Sequence, residues 1–113
     1  MHSEARYAVV TGANKGIGFE TAKQLATHGI TVILTARDEK RGLDATSMIH
    51  SMCLPNVVFH QLDVLDPVSI QSLAGFIKDK FGRLDILVRS IFLYLEIGLF
   101  FPFHASSFHL FVF

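Results

Sequence analysis

Thr11-Gly12-Ala13-Asn14-Lys15-Gly16-Ile17-Gly18 is the stretch whose reading decides the fold. Before it stands Tyr7-Ala8-Val9-Val10, a short apolar run that reads as a buried strand, and after it Ile17 to His28 reads as a helix. Three glycines between a strand and a helix have a physical use. Gly12 permits a tight exit from the strand, Gly16 lets the backbone approach a pyrophosphate, and Gly18 lets the helix lie close on the sheet. The helix start offers N–H groups and the positive end of its dipole to the phosphates. Gly12, Asn14, Lys15, Gly16, Ile17 and Gly18 are therefore candidate nucleotide-binding residues. A purely structural turn would also use glycines; their position between the two elements favours the nucleotide. A P-loop is excluded, because it needs Gly-Lys followed by Ser or Thr, and here Gly16 precedes Ile17.

Outward from the turn, strands and helices alternate. In the first helix Gly18, Ala22 and Ala26 stack at four-residue spacing with Leu25 beside them, and Gly29 is the stop. Thr31-Val32-Ile33-Leu34-Thr35 is a β-branched second strand. Asp38 caps a helix running to about Met52, with Ala45, Met48, Ile49 and Met52 expected on one side. Gly42 weakens that helix, since an interior glycine costs roughly 1 kcal/mol relative to alanine. Val57 to Leu62 is a third strand. Asp66-Pro67, a cap followed by proline at the first helical position, opens a helix that spaces Ile70, Leu73, Ala74, Ile77 and Phe81 along one face. Gly82 ends it, and Leu84 to Val88 is a fourth strand. The order predicts an α/β fold, a Rossmann-type doubly wound parallel sheet truncated after the fourth strand, with its ligand site at the carboxyl ends of the strands. Leu84–Val88 would then stand as an uncovered apolar edge.

The strand ends carry the signals for a particular nucleotide. Where an acid after the second strand would bind the ribose 2′-hydroxyl of NAD, this chain has Thr35-Ala36-Arg37, and a guanidinium suits the 2′-phosphate of NADP(H). Lys15 adds a second positive charge; a solvated surface pair is the plainer alternative. Asp63-Val64 follows the third strand, where a carboxylate can accept from the adenine amino group or merely cap a turn.

Taken with Leu62-Asp63-Val64 and Gly82-Arg83-Leu84-Asp85-Ile86-Leu87-Val88, these motifs resemble the short-chain dehydrogenase/reductase superfamily over residues 6 to 88. Lys15 in the glycine loop together with Arg37 is similar to its NADPH-dependent carbonyl-reductase subgroup, whose members reduce ketones of terpenoids and alkaloids. The resemblance implies an oxidoreductase that acts on a small carbonyl substrate. It also implies a Ser and a Tyr-x-x-x-Lys for the chemistry. Thr11 stands four residues after Tyr7, and Gly98 four after Tyr94, so no catalytic residue is assigned in this chain. The family's Asn-Asn-Ala-Gly after the fourth strand is replaced by Arg89-Ser90-Ile91-Phe92.

Composition narrows the partners. Ten Lys+Arg balance ten Asp+Glu, which implies no bulk attraction to nucleic acid or to an acidic membrane. Cys53 is the one cysteine, which points to a reduced, cytoplasmic setting, and no metal site is expected. The composition shifts at the 88/89 junction: from Arg89 to Phe113 only Arg89 and Glu96 are charged, and seven of the eleven phenylalanines fall there. Residues 1–88 are expected to be an NADP(H)-binding half-domain and residues 89–113 a Phe-rich tail outside the family pattern. The tail has the length of a membrane segment, but Glu96, Pro102, His104, His109 and Ser106-Ser107 interrupt it. Its wealth of Phe, Leu, Ile and Val, whose codons share a middle U, fits translated intron better. Two functions compete: the nucleotide-binding portion of an NADP(H)-dependent reductase, or a non-catalytic binding or interaction fragment.

Overall fold

A computed structural model of the chain describes residues 5–89 and the strand at 109–112. Strands β1 (Tyr7–Val10), β2 (Thr31–Ala36), β3 (Val57–Gln61) and β4 (Ile86–Arg89) alternate with helices α1 (Gly16–Thr27), α2 (Glu39–His50) and α3 (Pro67–Lys80). With β5 (His109–Val112) they form one parallel sheet in the order β3-β2-β1-β4-β5. The chain winds one way from β1 to β3, then returns across β1 to lay β4 on the other side. That reversal opens the crevice where such sheets bind ligands. The doubly wound plan expected from the sequence is the one observed, with strands and helices alternating from β1 to β4.

Successive strand residues face opposite ways, and both faces are apolar. Ala8, Val10, Val32, Leu34, Ile86 and Val88 pack with Ala22 and Ala26 of α1 and with Ala45 and Ile49 of α2. Val9, Ile33 and Leu87 pack with Ile70, Leu73 and Ile77 of α3. Burying each large aliphatic side chain is worth roughly 1.5–3 kcal/mol, so the helices are held on both faces by the strands' own alternation. At the start of α3, Asp66 Oδ1 accepts from the Val68 N–H at 3.0 Å, and Pro67 takes the first turn as expected. Ala74 and Phe81 of its expected stripe are only half-buried, and Phe81 stacks on Tyr7 with ring centroids 4.6 Å apart.

The face of α2 departs from expectation. Asp38 caps it as expected, accepting from the Arg41 N–H at 3.0 Å. Yet Met48 and Met52 are 54% and 43% exposed, and the buried stripe is Gly42, Ala45, Thr46 and Ile49. The cause lies across the interface: a Cβ at Gly42 would overlap the Phe59 ring of β3. The glycine lets α2 settle on that ring, and this contact sets the rotation that turns Met48 outward. Thr46 buries its hydroxyl without penalty by donating to the Gly42 carbonyl at 2.9 Å.

The expectation of an uncovered β4 edge is also corrected. β5 runs along it, with Ile86 opposite His109 and Arg89 opposite Val112. A parallel partner needs a crossover of about a dozen residues or more, and residues 90–108 supply that length. The membrane-segment alternative falls largely outside the described residues; at 109–112 the chain is a strand. Among the described residues no helix is long and apolar enough to cross a membrane.

At the opposite end of the sheet one carboxylate ties β1 to the start of β4. Asp85 Oδ2 accepts from the Tyr7 N–H at 2.9 Å, the Asp85 N–H donates to the Tyr7 carbonyl at 2.9 Å, and Arg83 grips Asp85 Oδ1 at 2.6 Å. Asp85→Ala removes the partner of a half-buried backbone donor, a loss of about 1–3 kcal/mol. A fall of several degrees in Tm is expected for a domain of this size. An unchanged melting curve would show that this tie contributes nothing.

Candidate functional site

The turn after β1 is fastened to both neighbouring strands. The Thr11 N–H donates to the Val88 carbonyl and the Ala13 N–H to the Thr35 carbonyl, both at 2.9 Å. The buried Thr35 hydroxyl returns a bond to the Val10 carbonyl at 2.9 Å. Gly12 and Gly16 have φ of +57° and +66°, left-handed values that cost a residue with a Cβ roughly 1–2 kcal/mol. Gly18 is required for a different reason. A Cβ there would lie 2.7 Å from the Gly12 carbonyl oxygen and 3.0 Å from the Ala13 Cα. The first turn of α1 therefore rests on the backbone of its own glycine loop.

α1 starts without a side-chain cap. Lys15 occupies the N-cap position and makes no capping bond, and the first turn holds no acid, whereas Asp38 and Asp66 cap α2 and α3. The leading N–H groups of α1 thus open toward the crevice with the dipole's positive end behind them. Gly12, Lys15, Gly16 and Ile17 are exposed around this point, Asn14 is half-buried and Gly18 is buried beneath them. The six residues expected from the sequence come together here as one loop.

A cleft of about 520 Å³ opens between the start of α1 and α2, lined by Asn14, Lys15, Phe19, Arg41, Asp44 and Met48 among others. Two cations face it. Asp44 would offset one of them, but the Lys40 ammonium pairs with it at 3.0 Å. That hydrogen bond holds the Lys40 pKa above the usual lysine value. Arg37 is exposed at the end of β2 and does not line this cleft; its carbonyl accepts from Gln61 Nε2 at 3.2 Å, which ties it to β3.

Sequence reasoning missed Arg41. The available signal was a broken local rule: Lys40 and Arg41 sit in the first turn of α2, where the helix dipole favours acids. Met48, expected in the core, is instead a wall of the cleft.

Asp63 and Val64 lie half-buried beyond β3. The Asp63 N–H donates to Ser69 Oγ at 2.9 Å, and Ser69 Oγ donates to Gln61 Oε1 at 3.0 Å. Asp63 Oδ1 accepts from the Leu65 N–H at 3.0 Å. The turn role is therefore present, and it engages one of the two carboxylate oxygens.

Comparison with known proteins places these features in a family. The model described as short chain dehydrogenase matches residues 6–91. A (+)-neomenthol dehydrogenase of Capsicum annuum is 53% identical over 91 residues, which are 78% of this chain and 29% of that protein. A carbonyl reductase (NADPH) 1 of Sus scrofa is 41% identical over 108 residues, 95% of this chain and 37% of that protein. The structure of a menthone neomenthol reductase from Mentha piperita superposes with a TM-score of 0.74 at 58% identity, covering 77% of this chain and 31% of its own. The chain spans about three-tenths of the length of such relatives.

The contact under Gly18 is open to a direct test. Gly18→Ala forces a methyl against backbone that has no side chain to swing aside, so a loss of roughly 1–3 kcal/mol is expected. Gly75→Ala, in open space on α3, is the control and is expected to stabilise by about 0.4–1 kcal/mol. Equal melting temperatures for the two variants would refute the close packing of α1 on its loop.

Proposed function

The chain belongs to the short-chain dehydrogenase family, and we propose that the carboxyl-end crest of its sheet holds NADP(H). The observation that carries this reading is the uncapped start of α1, set over a glycine loop and beside two cations. In this reading the pyrophosphate lies against the N–H groups of the Asn14–Gly18 loop, with Gly12 and Ile17 flanking it. Lys15, Arg37 and Arg41 receive the ribose 2′-phosphate. The adenine rests on Val64 and donates its amino group to Asp63. The exposed backbone at Gly12 and Gly16, with open space where a Cβ would stand and anion-seeking groups beside it, fits this cofactor. The carbonyl reductase relative is itself named for NADPH.

Carbonyl reduction is the chemistry we propose for the full-length protein, with the cofactor supplying the hydride and a small carbonyl compound as substrate. The proton must come from a positioned acid, worth roughly 10²–10⁴ in rate. These 113 residues contain no Tyr-x-x-x-Lys. We therefore read the chain as a nucleotide-binding portion that does not turn substrate over. The same fact favours the second reading, a non-catalytic binding or interaction product, with residues 89–113 as a tail outside the family pattern. A cytoplasmic location is proposed on the strength of Cys53 as the one cysteine, and a net charge of +0 gives no reason to expect nucleic acid as a partner.

Fluorescence titration with NADPH and NADH tests both halves of the proposal. The chain is expected to prefer NADPH, and Arg37→Ala to weaken NADPH on the order of 10–100-fold while sparing NADH, as loss of a charge-assisted hydrogen bond predicts. Addition of aldehydes and ketones to the NADPH complex is expected to give no oxidation above buffer. Equal affinity for the two cofactors would contradict the phosphate assignment. Carbonyl-dependent oxidation that disappears in Gly16→Glu would contradict the absence of turnover.

A further inference from the structure

The pairing of β2 with β3 ends at Ala36 and Gln61, and the Leu62 N–H closes it on the Ala36 carbonyl at 2.9 Å. Arg37 stands one residue further on, exposed and outside the ladder. A guanidinium on a long, flexible stem is delivered to one place only if the backbone that carries it is held. Gln61 holds it. Its Nε2 donates to the Arg37 carbonyl at 3.2 Å, so a side chain carries the strand pairing one residue past the last backbone bond.

The other end of the same amide is held as well. Gln61 Oε1 accepts from Ser69 Oγ at 3.0 Å, and Ser69 Oγ accepts from the Asp63 N–H at 2.9 Å. The donor order is forced. The Asp63 N–H can only donate, so the serine oxygen accepts there and its one hydrogen goes to Gln61; the Arg37 carbonyl can only accept, so it takes the amide N–H. An ionised glutamate in place of Gln61 would have no hydrogen for Arg37. Ser69 is buried in the first turn of α3, which anchors the chain of bonds in the core. The chain thus links the residue after β2 to the stretch after β3.

We propose that Gln61 is a positioning residue for cofactor selection: without touching the cofactor, it holds the Arg37 backbone so that the guanidinium meets the ribose 2′-phosphate. The proposal rests on the NADP(H) reading above and adds to it the part that sets Arg37 in place. Asp63 has its own bond to Ser69, so the adenine end does not depend on Gln61. Loss of Gln61 therefore weakens the cofactor that carries the 2′-phosphate and spares the one that lacks it.

Titration of the full chain with NADPH and NADH tests this in four forms: the parent, Gln61→Met, Arg37→Ala and the double variant. Methionine keeps the reach of the side chain, adds no charge and makes neither bond. Gln61→Met is expected to weaken NADPH roughly 3–10-fold, the worth of one hydrogen bond, and to leave NADH affinity unchanged. Added to Arg37→Ala, it is expected to cost NADPH nothing more, because the two residues act through one contact. A merely structural loss would weaken both cofactors and would add to Arg37→Ala. Equal weakening of both cofactors, an NADPH preference that Gln61→Met leaves intact, or a further NADPH loss in the double variant would each overturn the proposal. Equal affinities in the parent would overturn the cofactor reading itself, and this proposal with it.

Discussion

The contact on which the rest depends is that between Gly18 and the Gly12 carbonyl, where α1 lies so close to its own loop that no Cβ fits. From it follows the placement of the whole helix. Ala22 and Ala26 repeat the small side chain at each turn along the line that faces β1 and β2, so α1 stays near the sheet over its length. The loop beneath is pinned by hydrogen bonds to β2 and β4, the two strands that flank β1. Loop, helix start and switch point are thus joined by direct contacts. A nucleotide bound as proposed would meet N–H groups already oriented, with little ordering left to be done on binding.

The charges around that piece would suit an anion, as the proposed cofactor site requires. Carboxylates cap α2 and α3, and none caps α1, whose start is the proposed phosphate site. Lys15 and Arg41 break local electrostatic preference, each standing at a helix N-terminus. Asp44 would cancel part of their field, but Lys40 holds it. Residues that break a local rule without helping the fold are commonly those that serve function.

How much of this the sequence discloses depends on whether the determinant is local. Four apolar strands, two aspartate caps and the glycine loop are written in short windows, and they lie where the sequence puts them to within a residue or two. The rotation of α2 is not local. It is set by Phe59 meeting Gly42 across the helix–sheet interface, and periodicity alone could not place Met48 in the cleft. Arg41 escaped for a related reason, since the cleft it lines exists only once α2 is docked beside α1. Pairing of β5 is the least local feature. Four residues beyond 90–108 carry no turn or spacing that names β4 as their partner.

The central claim, that the nucleotide's phosphates sit on the uncapped start of α1, is tested most directly by amide NMR of the labelled chain titrated with 2′,5′-ADP and then NADP⁺. The account predicts that the largest shifts fall on the N–H signals of Asn14 to Gly18 with both ligands. It also predicts that those around Asp63 and Val64 follow because the adenine is common to the two. Saturable binding that leaves the Asn14–Gly18 signals unmoved would contradict it.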